Sequence, residues 1–427
     1  MKKELLLKSL QVFFVRGFGA AAGFFLTLTV TNIGSTHDAG LFLFCFALIS
    51  VFATLLTFGS PQALIRIVGA NHGNWSIINH QFSVIIKIVF ISCCLLWLLF
   101  YTFKREIALF LLNKPLLADL LPLTGLAVLL FAFVQIFSSA LQGKQFSVLA
   151  SMVQNVIMPA CFITLLISIF LFGYEVKAIH FLIMYVVSLL VAASIGALFW
   201  LKDSNSCISY RVGFPAELRS SLYPLFIVSV MTLSVQWAGQ FATARYLNTD
   251  EIAFFASAQR TALLASFVLI AVNLVVAPKF ARAFAKGEHC DVDSLSRLSS
   301  RLMVAMASPV LLFMFIFPEF LMGLFGEEYI VAAPLLQIMA VGQFINVITG
   351  SVGYLLTMTN HEKDFRNVVL FSGPLAIILA FVLTKEFGLI GAAYATAIAL
   401  ATQNLLAVWM VKKRLGFNTL NIFRKIA

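Results

Sequence analysis

Residues 178–201 read AIHFLIMYVVSLLVAASIGALFWL, a stretch without Asp, Glu, Lys or Arg. A helix needs about 20 apolar residues to cross the ~30 Å hydrocarbon core of a bilayer, and this stretch has that length. Charged residues flank it, with Lys177 before it and Lys202 after it. The stretch therefore predicts a transmembrane helix.

The composition of the whole chain agrees with a membrane protein. Of its 427 residues, 61% are hydrophobic and 11% are charged, and the mean hydropathy is +0.99, whereas soluble domains carry about 25% charged residues. Outward from residues 178–201, similar continuous apolar runs predict twelve spans, numbered 1 to 12 in chain order: 9–31, 41–60, 82–102, 119–141, 148–172, 178–201, 221–244, 252–277, 298–317, 331–357, 366–384 and 388–411. The predicted fold class is all-α, a polytopic membrane protein with about 12 transmembrane helices.

The distribution of positive charge predicts the orientation of the spans. The formal net charge is +11, which taken alone is also compatible with an acidic partner. With both termini in the cytoplasm, most of the 29 Lys and Arg fall on the cytoplasmic side, and the outer loops hold only Lys104, Arg105, Lys114, Lys177, Arg245 and Lys385. This asymmetry follows the positive-inside rule, so the charge predicts a multi-pass topology and requires no nucleic acid.

The sequence carries no pattern typical of a bound metal or cofactor. The 6 cysteines and 6 histidines are scattered, and no C-x-x-C pair occurs. No G-x-x-x-x-G-K-[ST] motif occurs either, so direct use of ATP is not predicted. Every loop is short, which disfavours an enzyme that builds sugar chains on the outer face.

Landmarks 215 positions apart predict an internal duplication. Three pairs share this spacing: Phe110 with Phe325, Pro159 with Pro374, and Phe172-Gly173 with Phe387-Gly388. Such repeats are common in transporters, and six spans per half give both halves the same orientation. The predicted domains are an N-terminal lobe (1–205, spans 1–6), a cytoplasmic linker (206–218) and a C-terminal lobe (219–427, spans 7–12). The two six-helix lobes are expected to surround a central cavity.

Three positively charged residues are predicted inside spans, where ionisable side chains are costly and often functional. They are Arg16 in span 1, Lys87 in span 3 and Arg260 in span 8, whereas all 18 Asp and Glu fall in loops, tails or span ends. Arg260 lies ~12 Å from the outer end of its span, so it is predicted to bind an anionic substrate group in a central cavity. The alternative is a structural hydrogen-bond anchor. For Arg16, substrate binding and extension to the membrane interface are equal alternatives, and Lys87 is expected to extend to the interface.

Uncharged polar residues mark faces of three spans. Span 7 carries a stripe at spacings of 3, 4, 4 and 3, which is one face of a helix: Ser229, Thr232, Gln236, Gln240 and Thr243. Thr27 lies on a small and polar face of span 1, and span 10 adds Gln343 and Asn346. The stripe favours a water-filled cavity, and the alternative is helix packing through small and hydrogen-bonding side chains. The predicted substrate-binding residues are Arg16, Thr27, Ser229, Gln236, Gln240, Thr243, Arg260, Gln343 and Asn346.

Four short segments resemble one transporter family. They are Asp38-Ala39-Gly40-Leu41-Phe42, Gly59-Ser60-Pro61, Leu324-Phe325-Gly326-Glu327-Glu328-Tyr329 and Phe387-Gly388-Leu389-Ile390-Gly391-Ala392-Ala393. With twelve spans in two lobes, the chain resembles, over nearly its whole length, the polysaccharide-transport branch of the multidrug/oligosaccharidyl-lipid/polysaccharide exporter superfamily. The related peptidoglycan-precursor flippases usually have fourteen helices, so twelve spans fit the polysaccharide branch better.

The resemblance implies a flippase for O-antigen or capsule repeat units. Such a protein moves an oligosaccharide on an undecaprenyl pyrophosphate carrier across the bacterial cytoplasmic (inner) membrane by alternating access, for lipopolysaccharide or capsule assembly. In that family, helices 1, 2, 7 and 8 line a cationic central cavity, and Arg16, Arg260 and the stripe of span 7 lie on helices of this set. Exchange for a coupling ion is compatible with the resemblance, although no carboxylate is predicted inside a span to bind one.

An interior with positive charges and without carboxylates suits an anionic cargo. It suits poorly an exporter of cationic drugs, which would use an intramembrane acidic residue for the drug and the coupling ion. The alternative function is nevertheless a drug or metabolite exporter of the same superfamily, and a third is a non-transporting scaffold or a sugar polymerase. Cationic-drug resistance in an expressing strain would favour the exporter, and new glycosidic bonds made by the purified protein would favour the polymerase.

Overall fold

The structure is a computed structural model that describes residues 2–70, 74–111, 113–202 and 216–421. Every regular element in these residues is helical. The helices of the first half are α1 (Lys2–Ile33), α2 (Thr36–Leu56), α3 (Ser60–Ala70), α4 (Trp75–Thr102), α5 (Lys104–Glu106), α6 (Leu117–Gly143), α7 (Ser147–Met152), α8 (Met158–Leu171) and α9 (Ala178–Leu201). Those of the second half are α10 (Ala216–Tyr246), α11 (Thr249–Leu263), α12 (Ser266–Ala285), α13 (His289–Ile316), α14 (Pro318–Gly323), α15 (Ala333–Thr349), α16 (Val352–Met358) and α17 (Glu362–Leu415). Ile107–Leu111 and Val153–Ile157 are π-helical, and Glu327–Ala332 is a 3₁₀ helix.

The helices have the length and apolar composition of transmembrane segments. Within the described residues, 9 helical stretches qualify, some of them made of two or three consecutive elements. The longest, α17, covers 54 residues and bends at Gly388, so it contains two spans. Together with α1 and α10, these helices confirm the predicted all-α membrane fold of about twelve spans.

Two segments that lie between predicted spans are helical. The chain after span 2 forms α3, with Pro61 in its first turn, where the missing N–H of proline costs little. The segment between spans 8 and 9, which has room for a surface turn or a short helix, is largely helix, because α12 continues to Ala285 and α13 begins at His289. In both places the helix extends beyond the apolar run that defined the predicted span. Backbone hydrogen bonds continue where side chains become polar, so a helix can extend into the headgroup region.

The helices form two compact units, Met1–Val230 and Met231–Ala427. The division falls within α10, so the first part of that helix belongs to the N-terminal unit. Of the predicted linker 206–218, residues 206–215 lie outside the described residues, and the remaining three begin α10. The lobe boundaries 1–205 and 219–427 stay a prediction.

Two helices of the C-terminal unit are interrupted. Between α11 and α12, Leu264 donates its N–H to the carbonyl of Thr261 at 3.0 Å, a tight turn that shifts the axis without an intervening loop. Between α15 and α16, Gly350 adopts a φ of +75°. In the N-terminal unit, by contrast, α6 runs from Leu117 to Gly143 without a break.

The backbone repeats its unusual conformations at the predicted spacing of 215 residues. Gly173 and Gly388 both have positive φ, +75° and +61°. Gln145 and Asn360, also 215 positions apart, have φ of +67° and +61°. Positive φ is uncommon in non-glycine residues, so the pair of Gln145 and Asn360 in particular agrees with the predicted duplication.

Aromatic rings fill the interior of the N-terminal unit where α2, α8 and α9 meet. This aromatic cluster consists of Phe42, Phe46, Phe162, Phe181 and Tyr185. Phe42 is fully buried, and its ring centroid lies 5.5 to 5.8 Å from three of the others. Asp38 fixes α2 against α9, because its carboxylate accepts the N–H of Ala178 at 2.9 Å.

Candidate functional site

A polar cavity of about 200 Å³ lies inside the C-terminal unit, between α10, α11, α15 and the second half of α17. Its polar wall consists of five amides and three hydroxyls: Gln236, Gln259, Gln343, Asn346 and Gln403, with Thr232, Ser266 and Thr396. Apolar residues complete the lining, and no lining residue in the described part of the chain is ionisable. We call this space the amide cavity.

The break between α11 and α12 places one hydroxyl against the amides of α15. Ser266, the first residue of α12, donates its hydroxyl to Oε1 of Gln343 at 2.8 Å. Asn346 donates its Nδ2 to the same oxygen at 3.1 Å. Gln343 and Asn346 are three residues apart and therefore share a face of α15. The helix break is thus joined to α15 by a hydrogen-bonded network in the wall of the amide cavity.

The opposite wall joins α10 to α11 and leaves hydrogen-bonding capacity for a ligand. Gln259 donates its Nε2 to the backbone carbonyl of Gln236 at 2.8 Å, and the side chain of Gln236 is exposed. On α17, Oε1 of Gln403 is buried without a hydrogen-bond partner among the described residues. An unsatisfied buried acceptor costs ~1–3 kcal/mol, so a ligand group that donates to it would be stabilised.

The lining determines what the amide cavity can bind. Amides and hydroxyls both donate and accept hydrogen bonds, which matches a neutral ligand rich in hydroxyl groups. The volume of about 200 Å³ is below the ~300–1,000 Å³ of pockets that enclose a whole small ligand. The cavity therefore fits one neutral, hydroxyl-rich part of a larger molecule.

The structure brings three predicted site residues together in this cavity: Gln236, Gln343 and Asn346. Two other members of the stripe, Gln240 and Thr243, lie further along α10, with 2% and 0% of their surface exposed. The hydroxyl of Thr243 donates to the carbonyl of Gln240 at 2.8 Å. Neither lines the amide cavity, and their contact with a substrate stays a prediction.

The remaining predicted residues lie elsewhere. Ser229 is half-buried in the part of α10 that belongs to the N-terminal unit. Thr27 is fully buried in α1, and its hydroxyl donates to the carbonyl of Gly23 at 3.3 Å. The side chain of Arg16, also in α1, lies outside the described residues. Their roles in binding stay predictions.

Arg260 is half-buried in the last turn of α11. It directly follows Gln259, which lines the amide cavity. Successive residues of an α-helix are rotated by about 100°, so Arg260 lies on a different side of α11 and is not part of the cavity wall. Its role as an anion ligand also stays a prediction.

Four polar residues of the amide cavity were not predicted from the sequence: Gln259, Ser266, Thr396 and Gln403. None of them belongs to the polar faces identified in spans 1, 7 and 10, and polar residues of this kind also occur in packed helix contacts. A joint signal existed, because Gln259 and Ser266 are seven residues apart, as are Thr396 and Gln403. Seven residues make two helical turns and place each pair on one face.

The chain matches two models of protein families. The model described as "Polysaccharide biosynthesis protein" matches residues 8–284. The model described as "MatE" matches residues 224–382, so the two overlap in the second half of the chain.

Two curated relatives extend over most of the chain. The probable low-salt glycan biosynthesis flippase Agl15 of Haloferax volcanii is 23% identical over 412 residues, which are 94% of this chain and 82% of that protein. The uncharacterized membrane protein MJ1068 of Methanocaldococcus jannaschii is 24% identical over 414 residues, 90% of this chain and 79% of that protein.

Solved structures share the fold. The lipid II flippase MurJ in an inward closed conformation has a TM-score of 0.76 at 17% identity, with 95% of this chain and 87% of that chain covered. An inward-facing multidrug resistance transporter of the MATE family has a TM-score of 0.74 at 14% identity, with 93% and 94% covered. A transporter of the MOP superfamily from Pyrococcus furiosus has a TM-score of 0.68 at 14% identity, with 96% and 95% covered.

Proposed function

The chain belongs to the polysaccharide biosynthesis protein family, and from this membership we propose that it is a flippase that moves a lipid-linked oligosaccharide across a membrane. The observation that carries the proposal is the amide cavity, whose neutral hydrogen-bonding wall matches the hydroxyl groups of a sugar. The likeness to a probable glycan flippase and to the fold of a lipid II flippase supports the same substrate class.

The finer proposal concerns the carrier and the membrane. The substrate is an O-antigen or capsule repeat unit on undecaprenyl pyrophosphate, in the cytoplasmic membrane of a bacterium, and both termini of the protein are cytoplasmic. The excess of Lys and Arg in the predicted inner loops supports this orientation. The lobes 1–205 and 219–427 alternate between an inward-open and an outward-open state around the substrate, in exchange for a coupling ion.

In this function, two kinds of side chain bind two different parts of the substrate's head group. Arg260, with Arg16 from the first half, binds the pyrophosphate, because a phosphate inside a membrane requires a positively charged partner. The amides of the cavity bind a sugar, which carries no such charge. Arg260 and Gln259 are neighbours on α11, so a single helix would hold the junction between phosphate and sugar.

A flipping assay in sealed liposomes tests the proposal. Undecaprenyl pyrophosphate carrying an oligosaccharide starts in one leaflet, and a membrane-impermeant glycosidase reports its arrival in the other. We expect Arg260→Ala to lower the flipping rate by about ten-fold or more, because hydrogen bonds to charged groups contribute ~1.5–3 kcal/mol. Arg260→Lys should retain part of the rate, since it keeps the charge and loses the planar fork.

Arg245→Ala is the matched control, because Arg245 is an exposed arginine at the end of α10. It should flip at the wild-type rate. Full activity of a folded Arg260→Ala protein would contradict the role of Arg260. Absence of flipping by the wild-type protein, together with ion-driven export of a drug or metabolite, would replace the flippase with the exporter.

A further inference from the structure

An apolar groove opens on the exposed surface of the C-terminal unit, between α13, α15 and the second half of α17. Its volume is about 310 Å³, and its lining includes Phe315, Val341, Tyr394 and Ile398, each between 42% and 51% exposed. The amide of Gln337 also borders it, but its Nε2 already donates to the carbonyl of Phe315 at 2.9 Å. The groove is thus suited to a hydrocarbon chain.

The groove and the amide cavity adjoin the same contact between α15 and α17. Ala397 lines both spaces. On α15, Gly342 lines the groove, and the next residue, Gln343, lines the cavity. A Cβ atom built on Gly342 would lie 2.8 Å from Cα of Ala397, so the two helices touch here without an intervening side chain. Such close contact at small residues is typical of helix pairs in membranes.

We infer that this groove binds the polyprenyl chain of the lipid-linked substrate, beside the cavity that receives its sugar. The inference rests on the proposed function, because that function supplies an amphiphile with a polar head and a long apolar chain. The two spaces match these two parts in chemistry and share one wall. The groove lies on one side of the contact between Gly342 and Ala397, and the amide cavity lies on the other. A phospholipid would fill the groove equally well but has no sugar for the amide cavity.

Photo-crosslinking tests where the chain binds. The probe is a polyprenyl pyrophosphate that carries one N-acetylhexosamine and a diazirine on its chain, added to the purified protein in phospholipid liposomes. We expect crosslinked peptides from residues 337–345 and 394–401. Unlabelled lipid-linked sugar should compete with the probe, and additional phospholipid should not. Equal competition by phospholipid would overturn the inference, because the groove would then hold bulk lipid only.

Filling the groove tests its contribution to transport. We expect Val341→Trp to weaken the interaction with a long-chain substrate about ten-fold, the effect of losing the burial of about two methylene groups. A substrate with a ten-carbon chain should be flipped by this variant as it is by the wild type. Ile378→Trp is the matched control, since Ile378 is 59% exposed on the first half of α17 and lies outside the groove.

The two proposals fail in different ways. Flipping by the wild type without crosslinks in the groove, or equal loss of long-chain and short-chain flipping in Val341→Trp, would overturn the groove and leave the flippase intact. Crosslinks that map to the groove while no sugar is flipped would overturn the flippase and leave a lipid-binding groove.

Discussion

Corresponding helices of the two halves of the chain surround interiors that differ in polarity. Helices α6 and α9 correspond to α15 and the second half of α17 at a spacing of 215 residues, and α2 corresponds to α11 at 213. At these spacings, five amide-cavity residues have apolar counterparts in the N-terminal unit: Gln259 with Phe46, Ser266 with Ala53, Gln343 with Val128, Asn346 with Phe131, and Thr396 with Phe181. The counterpart of Gln403, by contrast, is Ser188. Where one unit has the aromatic cluster, the other has a cavity with polar walls.

The difference indicates which features of the duplicated fold are constrained. Both copies retain positive φ at two turns, at Gln145 and Gly173 in the first half and at Asn360 and Gly388 in the second. The residues at the meeting point of the helices differ in kind, and the helix breaks beside Ser266 and at Gly350 occur in the C-terminal unit. A packed aromatic interior favours stability, whereas polar side chains around a cavity, such as Gln403 with its unsatisfied acceptor, cost stability and supply binding capacity. We therefore expect substitutions in the two interiors to affect different properties.

The largest effect is expected for Phe42→Ala in the aromatic cluster. Removing a fully buried phenylalanine leaves a cavity and usually costs ~3–5 kcal/mol of the free energy of unfolding. Its contacts with three neighbouring rings place Phe42 at the upper end of that range. The measurement is denaturant unfolding of the purified protein in detergent.

The control for this variant is Phe170→Ala, which removes a ring that is 54% exposed on α8. It should cost much less, because the truncated side chain leaves no internal cavity. Equal losses at the two positions would show that the aromatic cluster does not carry the stability of the N-terminal unit.

A smaller effect on stability, with a larger effect on transport, is expected for Gln343→Val. This substitution gives the C-terminal unit the residue found at the equivalent position of the N-terminal unit. Ser266 and Asn346 lose their shared acceptor, which should cost about 2 kcal/mol of the free energy of unfolding. In the proposed function this amide binds the sugar, so its loss should raise the KM for flipping about ten-fold.

Phe344→Leu is the control for Gln343→Val, because the adjacent side chain is 43% exposed and does not line the amide cavity. It should leave both KM and stability close to wild type. An unchanged KM for Gln343→Val would place the sugar outside the amide cavity, even if the stability falls as expected.

The sequence predicted the spans well because bilayer thickness imposes a length that apolar runs reveal. It did not predict the breaks at 264–265 and at Gly350, since both lie within runs that stay apolar. Gly350 takes a positive φ with Ser300 packed against it, a constraint that depends on a neighbouring helix. The sequence also did not predict α3, because a charged residue such as Arg66 after an apolar run is equally compatible with a loop.

The candidate site was predicted only in part. Gln236, Gln343 and Asn346 were found because they belong to dense polar patterns along single helices. Gln403 was not, because its importance comes from facing other helices rather than from its own neighbours in the sequence. The role of a polar residue in a membrane helix depends on the side chains of the helices packed against it. These contacts are visible only in the folded structure.

The smallest effect is expected for alanine at the paired glycines, and it tests the duplication itself. A Cβ atom at Gly173 or Gly388 would meet no atom within 4 Å, so only the backbone opposes the substitution. With φ of +75° at Gly173 and +61° at Gly388, both changes should destabilise the protein, and Gly173→Ala should cost about 1 kcal/mol of the free energy of unfolding. Gly388→Ala should cost more, because its ψ of −140° lies outside the left-handed helical region.

Gly69→Ala is the control, since Gly69 is helical in α3 and equally free of contacts, so its replacement should be neutral or stabilising. If Gly173→Ala behaves like Gly69→Ala while Gly388→Ala is strongly destabilised, then the kink of α17 is a feature of the second half alone.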